Sequence, residues 1–121
     1  MIAIIDYGAG NLKSVANALK KIGQKFSIFN DAKAFVQFDD KFEKIEKVIL
    51  HGVGAAGYAM SELERRGFTD VLRNLKLPFL GICLGMQLLA EYSEEGGVGC
   101  LGVVAGNVRK FKTDLTGYFD D

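Results

Sequence analysis

The chain has 121 residues, 49% of them hydrophobic and 25% charged, so one packed domain over 1–121 is expected and disorder is not. Fifteen Lys and Arg balance fifteen Asp and Glu, which leaves no electrostatic case for nucleic acid or an anionic membrane surface as a partner. Two cysteines and one histidine do not make a disulfide framework or an ordinary zinc site, so no metal is expected and the thiols are read as reduced. The apolar runs, such as Val48–Leu50 and Phe79–Leu84, are too short for a membrane span. Met1–Asp6 lacks the pattern of a secretion signal, and a cytoplasmic protein is the expectation.

Ile2–Asp6 is a short, β-branched apolar run that ends in Tyr7-Gly8-Ala9-Gly10, a buried strand entering a glycine turn. Asn11 is placed to cap a helix whose apolar face is Leu12, Val15, Ala16, Leu19 and Ile22, with Gly23 to end it. Lys25–Phe29 reads as a second strand and Asn30-Asp31 as the turn after it. Ala32–Lys44 mixes Phe, Asp and Lys without a clear period and receives no assignment. Lys47–Leu50 is a third strand, followed by His51-Gly52-Val53-Gly54. Gly57–Arg66 and Phe68–Leu75 read as helices separated by Gly67. Leu77–Ile82 is a fourth strand and Leu84–Tyr92 a helix directly after it. Cys100–Val104 and Asn107–Lys112 read as short strands.

Hydrophobic strands alternating with helices over short connections predict an α/β fold, an open and mostly parallel sheet with helices on both faces. Ligands in such sheets bind beyond the carboxyl ends of the strands. Three segments follow strands directly: Tyr7–Asn11, His51–Gly57 and Cys83–Gln87.

Gly81-Ile82-Cys83-Leu84-Gly85 carries the strongest chemical signal. It has the glycine-x-nucleophile-x-glycine pattern between a strand and a helix, the context of a nucleophile elbow after a central strand. Side chains two positions either side of the nucleophile would collide with so sharp a turn. The elbow lifts the Cys83 sulfur from the sheet edge and places it at a helix N-terminus, where thiolate is favoured. The Leu84 N–H is then a natural oxyanion donor. The competing account is an inert cysteine between two packing glycines.

The other signals are weaker. Gly52 and Gly54 permit close approach of backbone to a ligand, although a plain glycine turn explains them equally. Gly8-Ala9-Gly10 is not a dinucleotide cradle, because position 13 is Lys13. Gln87 lies four residues after Cys83, so a continuous helix would present both on one side, with Gln87 beside the thiol to hold a polar substrate. For Glu91, Glu94 and Glu95 a solvated helix face is the simpler account. Cys100 reads as packing.

Three stretches together resemble the glutaminase subunits of imidazole glycerol phosphate synthases, a family of class I (triad) glutamine amidotransferases. They are Ile4–Val15, Leu50–Ala55 with Ala59-Met60 beyond, and Gly81–Leu89 with Ser93–Gly96. The third is common to many amidotransferases, whereas the opening stretch points to this subunit. The resemblance implies a flavodoxin-like sheet and no cofactor. It implies that Cys83 attacks the side-chain amide of L-glutamine, forms a glutamyl thioester and releases ammonia, after which water releases glutamate. Val53 and Leu84 would supply the oxyanion N–H groups, Val53 after a backbone flip in Gly52-Val53-Gly54. Gln87 and Glu95 match positions that hold glutamine, with Gly52 and Gly54 lining the same site. Ammonia would pass to a (β/α)₈-barrel cyclase partner, with Tyr7, Asn11 and Ser14 towards that interface.

Two departures from the family pattern stand out. His51 occupies the position of a proline, which puts a titratable ring beside the glycine strand and within conceivable reach of Cys83 as a base. The family's His-x-Glu, its catalytic base and carboxylate, has no counterpart, since His51 is the only histidine. The likeness fades after Lys112, so the domain is expected to be C-terminally incomplete. Two other readings stay open on these grounds: a module that binds glutamine or a partner without catalysis, and a glutaminase serving a synthase that aminates sugars.

Overall fold

The computed structural model describes residues 1–38 and 40–111. Four parallel strands form the main sheet: β1 (Ile2–Ile5), β2 (Phe26–Phe29), β3 (Lys47–Gly52) and β4 (Phe79–Cys83), in the order β2-β1-β3-β4. Five helices accompany them: α1 (Leu12–Lys21), α2 (Ala32–Val36), α3 (Ala56–Arg65), α4 (Phe68–Arg73) and α5 (Leu84–Leu88). Three two-residue strands, β5 (Tyr92–Ser93), β6 (Val98–Gly99) and β7 (Asn107–Val108), make a small second sheet in the order β6-β5-β7. The α/β parallel architecture is the one that the alternating pattern predicts.

The two faces of the main sheet are covered unequally. Alternate residues of each strand point to opposite faces. Ala3, Ile5, Phe29, Val48 and Leu50 join residues of α2, α3, α4 and α5 in the larger core. Ile4 and Ile49 face the other way and meet Leu19 of α1, with Leu12 and Val15 alongside. Local capping sets where helices start: Asn11 Oδ1 accepts from the Ser14 N–H at 3.2 Å, and Asp31 Oδ1 from the Ala34 N–H at 3.1 Å.

Several elements differ from the sequence reading. The unassigned stretch contains α2, whose cap is Asp31 and whose Phe35 packs edge-on to Phe29 at 5.5 Å. Helix α5 ends at Leu88 rather than Tyr92. Cys100–Val104 is not a strand. Its amides instead satisfy the end of α5: Leu101 N donates to Leu88 O, Gly102 N to Ala90 O and Val104 N to Leu89 O, all at 2.8–2.9 Å. In the last expected strand only Asn107–Val108 pairs, and Lys112 lies outside the described residues. Among the described residues β4 pairs only with β3, so it is an edge strand and not the central one expected. Leu80, on its α1 side, is accordingly exposed.

Candidate active site

Parallel pairing brings the carboxyl ends of β1, β3 and β4 side by side, and with them the three glycine segments. The register sets Ile5 opposite Leu50, and Gly52 opposite Cys83. The turn after β1 is organised by Asp6, whose carboxylate accepts from the Gly8 N–H at 3.0 Å. The Arg66 guanidinium holds the same corner, donating to Asn30 O at 3.2 Å and to Glu62. The turn folds onto β3. Gly10 has φ +99°, and a methyl there would sit 2.6 Å from His51 Nδ1 and 2.9 Å from the Gly52 Cα.

Cys83 is exposed and adopts φ 54°, ψ −122°, making it the sole non-glycine residue with positive φ among the described residues. Such a conformation costs about 1–3 kcal/mol and persists only where the surroundings impose it. The flanking glycines show what imposes it. A methyl on Gly81 would lie 2.6 Å from the Met86 Cα, and one on Gly85 would overlap the carbonyl oxygen of Leu50. The turn from β4 into α5 therefore has the geometry of a nucleophile elbow. Leu84, the first residue of α5, is the next residue along, so its N–H stands at the elbow with no earlier helical carbonyl to bond.

Cys83 lines a cavity of about 190 Å³ together with Val53, Gly52 and His51 on the strand side, and Asn11, Ser14 and Val15 on α1. Gln87 lines a different one, of about 420 Å³, with Glu94, Glu95, Val108, Arg109 and Lys110. The continuous helix expected to run through both Cys83 and Gln87 is not what forms. Cys83 is the cap of α5, outside the helix, and its dihedral angles do not continue the helical spiral. The larger cavity does unite Gln87 with Glu95. Val108 of β7 also lines it, and Glu94 Oε2 accepts from the Lys110 N–H at 2.9 Å. Sequence reasoning passed over Arg109 and Lys110, reading them only as strand. Their signal is two adjacent cations directly after Asn107-Val108.

Asn11 and Ser14 are exposed at the mouth of the smaller cavity. Tyr7 is not: its side chain is fully buried in the larger core, which removes it from any surface facing a partner. His51 is also buried, and its Nε2 has no hydrogen-bond partner among the described residues, the Cys83 thiol included. Burial lowers the His51 pKa below its ordinary 6.5, against a smaller opposing pull from the Asp6 carboxylate. The ring is neutral at pH 7. No cluster of three or more metal-ligating side chains occurs among the described residues, and no helix there is long and apolar enough to cross a membrane.

A parallel α/β sheet with a cysteine at an elbow and a glycine strand beside it places the chain in the class of α/β proteins that present a thiol at a strand-to-helix turn. Residues 3–114 match the family profile for Glutamine amidotransferase class-I, and the chain belongs to that family. It is similar to "Imidazole glycerol phosphate synthase subunit HisH 2" of Legionella pneumophila (strain Paris), with 46% identity over 114 residues, 94% of this chain and 54% of that protein. It is also similar to "Imidazole glycerol phosphate synthase subunit HisH" of Xanthomonas campestris pv. campestris (strain 8004), 46% identical over 108 residues, which are 89% of this chain and 50% of that one. The chain spans about half the length of these curated relatives. Among solved structures, a crystal structure of a glutamine amidotransferase superposes with TM-score 0.63 at 20% identity, covering 85% of this chain and 53% of the other, which shows the shared fold.

Proposed function

We propose that the chain carries the nucleophile side of a glutaminase that supplies ammonia for imidazole glycerol phosphate formation in histidine biosynthesis, acting in the cytoplasm. The observation that carries this reading is the strained Cys83 elbow set in register with Gly52. The Cys83 sulfur attacks the side-chain amide carbon of L-glutamine. The carbonyl electrons move onto oxygen, and the N–H groups of Leu84 and Val53 hold that oxyanion. The C–N bond breaks, the nitrogen leaves as ammonia carrying the proton the thiol has given up, and a glutamyl thioester remains. Water attacks the thioester, returning the thiol and releasing glutamate.

The larger cavity suits the amino-acid end of the substrate. Glutamine carries an ammonium and a carboxylate on one carbon. Glu94 and Glu95 supply negative charge, Arg109 and Lys110 positive charge, and Gln87 an amide that both donates and accepts. The relatives' names support a cyclase as recipient of the ammonia. A (β/α)₈-barrel subunit docked over Asn11 and Ser14 would meet the mouth of the Cys83 cavity, so that ammonia need not enter bulk water.

The test has two arms. The first measures ammonia release from glutamine by the chain together with a cyclase subunit and its nucleotide ligand, against Cys83→Ala. The second treats the chain with a diazoketone analogue of glutamine and locates the adduct by mass spectrometry. We expect release that depends on Cys83, and one adduct on Cys83 that free glutamine suppresses. A folded chain that gives neither is a binding module, and the glutaminase reading fails.

A further inference from the structure

Tyr7 follows β1, and its ring is fully buried in the larger core. Its hydroxyl has no hydrogen-bond partner among the described residues. The hydroxyl lies directly under the glycine strand. A methyl on Gly52 would overlap the Tyr7 oxygen, and would lie 3.0 Å from Tyr7 Cζ and 3.5 Å from the Leu84 Cβ. The hydroxyl therefore occupies the space beside Gly52, which adjoins the Val53 N–H, with the Leu84 side chain close to the same space.

A buried hydroxyl without a partner is costly, and native proteins carry few. Phenylalanine would fill the same space without that cost. Burial pushes the Tyr7 pKa up to about 12, so the group remains an O–H donor throughout the pH range of ordinary enzyme action. A segment able to turn could bring it a carbonyl partner. The elbow is not that segment, because Gly81 and Gly85 are packed against backbone. The glycine strand is. Val53 is exposed, Gly54 has φ +102°, and nothing lies within 4 Å of the space a side chain would take at Gly54.

We infer that Tyr7 is a positioning residue for the oxyanion site: its hydroxyl donates a hydrogen bond to a backbone carbonyl of Gly52-Val53-Gly54 when that strand takes the conformation that holds the oxyanion. The inference rests on the glutaminase reading. The bond is absent in the arrangement seen here and present in the working one. Its energy therefore favours the working conformation and not the binding of glutamine as such.

The experiment is Tyr7→Phe, which removes one oxygen and keeps the ring. In the ammonia-release assay kcat falls about five- to tenfold, the size of one net hydrogen bond. KM for glutamine changes less than about twofold, and Tm holds or rises because an unpaired polar atom has gone. Unchanged kcat overturns the inference. So does a fall in kcat matched by a fall in Tm, which would make Tyr7 structural. A second readout needs no turnover: NMR relaxation dispersion at the Val53 and Gly54 amides of the parent and of Tyr7→Phe. The minor-state population drops about five- to tenfold in the variant, and equal dispersion in the two proteins overturns the inference. Failure of the parent to turn over glutamine would sink the glutaminase reading, while the amide comparison would still decide the role of Tyr7.

Discussion

Two glycine segments stand side by side at the ends of β3 and β4, and they are built in opposite ways. At the elbow after β4, both glycines are there because backbone occupies the space a side chain would need. In the segment after β3, Gly52 is pinned by Tyr7, but Val53 is exposed and Gly54 faces open space at φ +102°. The first segment holds the nucleophile in one strained geometry. The second has open space at Gly54. The same residue type thus answers to close packing in one place and to a positive φ in the other, and the difference lies in the neighbours.

This contrast can be broken experimentally, most severely at the elbow. Gly85→Ala forces a methyl into the Leu50 carbonyl and within 2.9 Å of the His51 Cα, both backbone atoms that cannot step aside. A loss of about 3 kcal/mol or more is expected in denaturant unfolding, with Gly81→Ala close behind. Near-parental stability in both would show that the elbow is not locked by packing.

Gly54→Ala sharpens the contrast from the other side. No atom obstructs the added methyl, so only the positive φ is penalised, by about 1 kcal/mol. The chain should unfold nearly as the parent does, while ammonia release slows because the strand resists turning. A stability loss as large as that of Gly85→Ala would erase the distinction between the two segments.

The smallest effect concerns His51. Its folded-state pKa lies below 6.5, so below that pH the unfolded chain takes up a proton that the folded chain resists. Its contribution to stability is present above about pH 6.5 and is lost as pH falls through that value towards the folded pKa. His51→Gln should flatten the decline of Tm between about pH 7 and pH 5. A parallel decline in parent and variant would assign the acid sensitivity to other groups.

Much of the site was legible before any coordinates. Gly81, Cys83 and Gly85 fall at intervals that only an elbow needs, and the strand before them and helix after them are both visible in the hydrophobic pattern. The cap at Asn11 is equally local. Gln87 was harder. The four-residue spacing is right for a helix face, but Cys83 is a cap with non-helical angles and lies outside that helix. The resemblance placed Tyr7 towards a partner interface, whereas its side chain is buried in the larger core. Its burial depends on Gly52, forty-five residues away in the chain. Arg109 and Lys110 reach the cavity of Gln87 only through the pairing of β5 with β7, which two-residue strands do not announce.

The alternation of strands and helices, the places where glycine interrupts them, and the cysteine at the sharpest of those turns all follow from local sequence. These depend on contacts within a few residues, where side-chain period and backbone sterics leave little choice. Long-range packing, by contrast, set the end of α5 at Leu88, closed that end with the segment after Cys100, brought Arg109 and Lys110 to the cavity of Gln87, and put a tyrosine hydroxyl beneath the glycine strand. Each of those outcomes is a matter of which distant backbone group fills a space or meets an unpaired donor, and no local pattern encodes it.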